Sequence, residues 1–390
     1  MTRLWEIDML RGLMLVLMFS THLPTRFSSL LGQPFGYVSA AEGFVTLSAF
    51  MAGMVYASRG RRHGVPAMRA AFFARALKIY GCQAALLVFL FTVVTMLGLW
   101  RDQPALKNLI DFYLGNPQAG LWGSLLLIYN PPLLDILPLY VLLMLGSPLA
   151  LAIGMHGGWR WIFAGSFLLW ALAQTRLPEI LYAYIAAPIG LQVPYHETGA
   201  FQTLAWQLLW VTGLWMGALA AEGRFQQRRP LPRPVLVAAL AIALVFLLWR
   251  YAAGQAPAEP GTILYRLLDK WHLGPLRLLN FLALLVLLLH LPPRLKAAVP
   301  RVGFLEKLGA ASLPVFCAHL VLVLLALSLV GESRPERPLR IDALLYFGGM
   351  GMLYLTALAT IFIERKAAER GEPPPQPVAA TGVEPTRHTR

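Results

Sequence analysis

Ten apolar stretches follow one another along this chain, near residues 9–25, 38–57, 77–99, 133–154, 160–176, 203–221, 234–251, 276–291, 309–330 and 341–363, and no other feature constrains its fold as strongly. A soluble core cannot take up that many apolar segments. Hydrophobic residues make up 57% of the chain and charged ones only 13%, against roughly 25% charged in soluble domains. In lipid every backbone N–H and C=O must be satisfied within the protein, and helices do this segment by segment. The sequence therefore predicts an all-α integral membrane protein, with about ten transmembrane helices in one bundle. Several stretches fall short of the roughly 20 residues of a full span, so their ends are uncertain by a few residues, and 121–130 reads as re-entrant or interfacial.

Orientation follows from the cations. With the N-terminus in the cytoplasm, that side holds 22 of the 33 Lys and Arg, so the positive-inside rule places both termini there. The net charge of +14 is spread between apolar segments and is not gathered into a patch with aromatics, which excludes a nucleic-acid partner. A cleaved signal peptide is disfavoured, because Arg11 interrupts the first apolar run and no small-residue cleavage site follows His22. Cys82 and Cys317 fall in different spans with no metal or redox spacing and read as packing residues. Residues 1–365 are expected to form the bundle, and 366–390, rich in proline and small residues, a disordered cytoplasmic tail.

Within the first span, eleven residues separate Arg11 from His22. On a helix this is three turns plus about 20° and a rise of about 16 Å, so both side chains share one face, about half a bilayer apart. Ionisable groups inside a span are costly and mark ligand or proton paths by default. The plainer reading has Arg11 snorkelling to the cytoplasmic interface and His22 ending the helix. Asp8, three residues before Arg11, can pair with it. The next span begins Tyr37-Val-Ser-Ala-Ala-Glu42, which puts Glu42 about one turn inside, at the depth of His22. There a carboxylate could orient the imidazole, although an acidic residue at a helix start is also favoured by the dipole. Gly43, Ser48, Ala49 and Gly53 suit close helix packing.

The pattern Ile7-Asp8-Met-Leu-Arg11-Gly12, with a histidine eleven residues after the arginine, resembles the transmembrane acyltransferase type 3 superfamily. The run Ala40-Ala-Glu42-Gly-Phe-Val-Thr-Leu-Ser48-Ala-Phe narrows the resemblance to its OpgC-like branch, whose named members succinylate osmoregulated periplasmic glucans. Asp135-Ile-Leu-Pro-Leu-Tyr140, Ala205-Trp206-Gln207-Leu-Leu-Trp and Leu308-Gly-Ala-Ala-Ser312-Leu-Pro-Val-Phe-Cys extend the likeness over nearly the whole chain. The family's small-Gly-aromatic turn reads Ser48-Ala49-Phe50 here.

The resemblance implies acyl transfer across a bacterial inner membrane. The donor is a cytoplasmic acyl-CoA used as co-substrate, with succinyl the expected acyl group. The acceptor is a hydroxyl of a periplasmic glucan or another envelope carbohydrate. No permanently bound cofactor or metal is implied. Arg11 would meet the donor's phosphate or pantetheine end, and His22 the thioester and the acceptor. His22 would act as general base with Glu42 fixing its tautomer, or would carry the acyl group covalently. Arg75 and Lys78, nearest the third span in the basic stretch after residue 58, are candidate donor-phosphate ligands, although such loops are basic for topology alone. Asp135, Trp206 and Gln207 lie in matched segments near the acceptor face and are the candidate acceptor ligands. Trp271 and His272 in an outer connection suit sugar recognition, but aromatic residues also anchor helices at interfaces. His319 reads as a packed histidine with a local hydrogen bond. A carbohydrate or lipid-linked substrate transporter could use the same residues as a proton path, yet no internal repeat of the kind such folds show is present. A non-catalytic subunit of envelope polysaccharide assembly is the third reading.

Overall fold

The computed structural model describes residues 5–224, 231–291 and 298–370. The tail from 371 onward, and Arg3, Arg228, Arg229, Arg294 and Lys296 of the orientation count, lie outside those residues. All regular elements among the described residues are helices. The bundle is made by α1 (Trp5–His22), α2 (Ala40–Phe89), α3 (Ile136–Ile153), α4 (Trp159–Ala173), α5 (Thr203–Ala221), α6 (Arg233–Ala253), α7 (Pro275–Leu289), α8 (Gly303–Ala310), α9 (Ser312–Val330) and α10 (Leu339–Glu369).

Six helical runs are long and apolar enough to cross a membrane: Ala40–Trp100, Ile136–Ala173, Thr203–Ala221, Arg233–Ala253, Ser312–Val330 and Leu339–Glu369. The first two are broken internally. In α2, Gly64 takes φ 82 and ψ 166, a conformation open to glycine, and Pro66, which lacks an N–H to donate backward, starts the helix afresh. Between α3 and α4, Gly157 at φ 85 makes the second break. Two further helices fall outside the six, α1 because it carries Glu6, Asp8 and Arg11 in its first turns, and α7 because it has only 15 residues. The basic stretch after residue 58, expected as a loop, is helical on both sides of Gly64. Residues 121–130 complete a nine-residue helix, Pro117–Leu125, and turn back at Leu127 (φ 60). Helix α10 runs past the boundary expected at 365 and ends at Glu369.

Small residues set the helix spacing. A Cβ on Gly53 would run into the backbone of Leu214, and one on Gly217 into that of Phe50, so α2 and α5 touch backbone to backbone. Gly43 faces the Met14 sulfur of α1, and Gly309 of α8 sits against the Asp8 carbonyl. The core is anchored by Trp206 and Trp210; the Trp210 indole N–H donates to Ser147 Oγ (2.8 Å), and the Tyr140 hydroxyl donates to the Phe44 carbonyl (3.1 Å). Leu248 on α6 and Leu344, Phe347 and Phe362 on α10 point outward, an apolar surface suited to lipid.

Candidate active site

Helices α1 and α9 lie side by side and run the same way. Near the start of both, the Arg11 guanidinium donates to Ser312 Oγ; farther along, His22 Nδ1 lies 3.0 Å from His319 Nε2. The two imidazoles, 297 positions apart in sequence, are 18° from parallel. The His319 ring is buried, edge-on to Phe19 and Phe316 at 6.0 and 5.4 Å. Arg11 is also within 3.9 Å of Asp8, the pairing expected one turn earlier on the same helix.

The chain beyond His22 is held from α10. The buried Asp342 carboxylate accepts from the Arg26 backbone N–H (3.2 Å) and Nε (3.0 Å), and it pairs with Arg337 (3.3 Å). Arg337 in turn donates to the carbonyl of Pro24 at 2.7 Å. The last residue of α1 therefore sits in front of a fixed turn.

Glu42 does not orient His22 as the sequence suggested. One carboxylate oxygen pairs with Arg277 Nε from α7, and the other accepts from the Ser39 backbone N–H (3.0 Å) and hydroxyl (2.6 Å), closing a capping box at the start of α2. The physical reason is burial. A carboxylate with no exposed surface needs a full-charge partner, and Arg277, 1% exposed, supplies it. The nitrogen partner of His22 is another imidazole.

Below the histidine pair lies a cleft of about 540 Å³, including space open to the outside. Arg11, Ser48, Arg75, Tyr140, Ser312 and Phe316 are among its lining residues, and Phe316 connects it to His319. The Nε of Arg75 is buried without a hydrogen-bond partner among the described residues. Lys78, expected beside it as a donor ligand, is exposed on another face of α2 and does not line the cleft.

The three acceptor candidates are engaged in scaffolding. Trp206 has no exposed surface, and its indole N–H donates to the Trp271 carbonyl (3.0 Å). Gln207 ties α5 to α4, accepting from Ser166 Oγ (2.6 Å) and donating to the Ser166 carbonyl (2.7 Å). Asp135 is buried and accepts the backbone N–H of Ala200 (3.1 Å). The family-matched segments thus tie α5 to α4 and to the connections around Ala200 and Trp271.

Three residues enter the site that sequence reasoning passed over: His319, Arg277 and Lys270. Lys270, in the connection before α7, is within electrostatic reach of His22, Glu42, Arg277 and Asp135. Burial lowers its ammonium pKa and Arg277 adds to that, while Glu42 and Asp135 work the other way. The only sequence signal for Arg277 was a cation near the start of a short apolar helix, which topology alone explains.

The sequence model of one family, described as OpgC protein, matches residues 3–365. The chain belongs to the OpgC family. Membership gives this OpgC protein a membrane acyltransferase-like role in glucan modification and marks it as a transferase. No curated protein and no solved structure matches it.

Proposed function

We propose that this OpgC protein is an O-acyltransferase of the bacterial inner membrane. It moves an acyl group, succinyl by the likeness of its family, from cytoplasmic acyl-CoA to hydroxyls of a periplasmic glucan or other envelope carbohydrate. The two breaks in the long runs, together with α1 and α7, favour ten crossings with both termini cytoplasmic.

In this reading the donor enters the cleft past Arg75 and Arg11. Guanidinium groups suit phosphate by charge and by paired N–H donors. The thioester reaches His22 about 16 Å farther along α1, the rise of eleven helical residues. His22 gives its Nδ1 proton to a hydrogen bond with His319 Nε2, which leaves the His22 Nε2 lone pair as base. Nε2 takes the proton of the acceptor hydroxyl as that oxygen attacks the thioester carbon; the C–O bond forms, the C–S bond breaks, and the imidazolium returns the proton to the departing sulfur. Lys270 supplies positive potential where charge collects on the carbonyl oxygen. His319 is a positioning residue in place of the carboxylate expected from the sequence, and Glu42 serves through Arg277 to fix the start of α2.

The observation that carries this reading is the paired contact between parallel helices, Arg11 with Ser312 and His22 with His319, above a cleft lined by a second arginine. Mass spectrometry of periplasmic glucans tests it, using cells with the unmodified protein, a deletion, and His22→Ala at matched protein level. Acyl additions are expected to vanish in the deletion and in His22→Ala, with the lost mass identifying the acyl group. Unchanged glucans in the deletion refute the substrate, and normal acylation by His22→Ala refutes the base.

A further inference from the structure

The turn Asp269–His272 leads into α7, and its backbone is gripped from two helices, α4 and α5, and their caps. Trp206 and the Gln202 backbone N–H both donate to the Trp271 carbonyl (3.0 and 3.1 Å). Gln174 donates to the His272 carbonyl (2.7 Å), and Trp170 to the Leu273 carbonyl (2.9 Å). Leu273 itself sits at φ 50, in the left-handed region a branched apolar residue adopts only where its surroundings impose it. So much anchoring would be enough for a plain structural turn if its side chains were tucked inward. They are not: Trp271 is 38% exposed and the His272 side chain 44%.

Those two rings are also oriented. Asp269 accepts from the backbone N–H groups of Trp271 (3.0 Å) and His272 (3.3 Å) and from His272 Nδ1 (2.5 Å). Burial raises the Asp269 carboxyl, but these hydrogen bonds outweigh it and hold the pKa below the usual carboxylate value. With Nδ1 donating to Asp269, the free His272 Nε2 is an acceptor. Lys270 Nζ lies 4.5 Å from the Trp271 ring centroid and 5.7 Å from that of Phe201, which meets Trp271 edge-on at 5.4 Å. The same ammonium reaches His22 electrostatically, and α7 leaves the turn to place Arg277 on Glu42. Through Lys270 the turn is thus within electrostatic reach of the end of α1, and through α7 it is tied to the start of α2.

We propose that Asp269–His272 is the acceptor-holding wall of the site: a neutral sugar ring stacks on Trp271 and donates a hydroxyl to His272 Nε2. A partly exposed indole fits the apolar face of a pyranose, and an imidazole lone pair fixed by a carboxylate asks for a hydroxyl proton, which an anion does not have. This rests on the acyltransferase reading for the place of the acceptor, but not for the binding itself.

The test is calorimetric titration of the full-length protein in detergent micelles with a β-linked glucose oligosaccharide, without acyl donor. Acyl-CoA titration of the same samples checks that the fold is intact. Trp271→Ala is expected to abolish measurable sugar binding, Trp271→Phe to retain part of it, and His272→Ala to weaken it about tenfold, as for loss of one hydrogen bond. In all three variants acyl-CoA binding stays as in the unmodified protein. Sugar binding unchanged in Trp271→Phe and His272→Ala, or absent in the unmodified protein, overturns the proposal. If the sugar binds and is lost as described while periplasmic glucans carry no acyl groups, the wall stands and the transferase reading falls.

Discussion

The ion pair between Arg277 and Glu42 is the most consequential contact that joins distant segments, and its worth can be worked out. Both side chains are buried, and they contact each other directly. Arg277→Met keeps length and apolar packing but leaves the Glu42 carboxylate with the Ser39 N–H and hydroxyl as its only hydrogen-bond donors among the described residues. Removing one partner of a buried pair costs about 3–5 kcal/mol, because the remaining charge has lost both water and its counter-ion. Glu42→Gln leaves Arg277 in the same position and costs a similar amount. The double variant buries no charge, so its loss should fall short of the sum of the singles by about 2–3 kcal/mol. Equilibrium unfolding in mixed micelles with rising dodecyl sulfate, followed by helicity and read as a double-mutant cycle, measures all three. Single variants within about 1 kcal/mol of the unmodified protein, the range of an exposed pair, would refute the reasoning, as would strict additivity.

Replacing His319 by Ala should lower the rate of transfer about 10²-fold or more without loss of protein, whereas His319→Gln, whose amide oxygen can accept from His22, should retain part of it; single-turnover rates on purified protein decide this. Arg75→Ala is expected to raise the acyl-CoA concentration needed for half-maximal rate by about tenfold, and Lys78→Ala, which removes a cation outside the cleft, to leave it unchanged. Gly309→Ala puts a methyl group into the Asp8 carbonyl, and overpacking of this kind costs about 1–3 kcal/mol, visible as a lower midpoint in the same unfolding assay. The depressed pKa of Asp269 makes its contribution to stability complete above the ordinary carboxylate value of about 4, with loss only as pH falls through the lower folded value; Asp269→Asn should therefore flatten the acid side of the stability profile below about pH 4.

Much of the bundle was legible because apolar length and helical period are local properties. The alignment of Arg11 with His22 needed only 3.6 residues per turn, and Gly43 and Gly53 announced close packing by their size alone. What the sequence could not supply was the identity of partners across the bundle. Glu42 does stand at a helix start, but its partner is 235 positions away on α7, and nothing in the sequence joins the two. His319 looked like any packed histidine until α9 was laid against α1. Trp206 and Gln207 were singled out from matched segments, yet nothing local distinguishes a wall residue from one that faces the ligand. Lys78 lies only three residues from Arg75, but the cleft takes one and not the other.

His22 ends α1, while the imidazole it contacts comes from α9, 297 positions later, and the carboxylate that fixes the turn behind it comes from α10. A ribosome therefore makes α1 long before the groups that hold its far end, so this corner of the bundle can close only when distant parts of the chain have joined it. A chain that stops before α9 lacks both contacts, and one that stops between α9 and α10 keeps the imidazole but leaves the turn beyond His22 unheld.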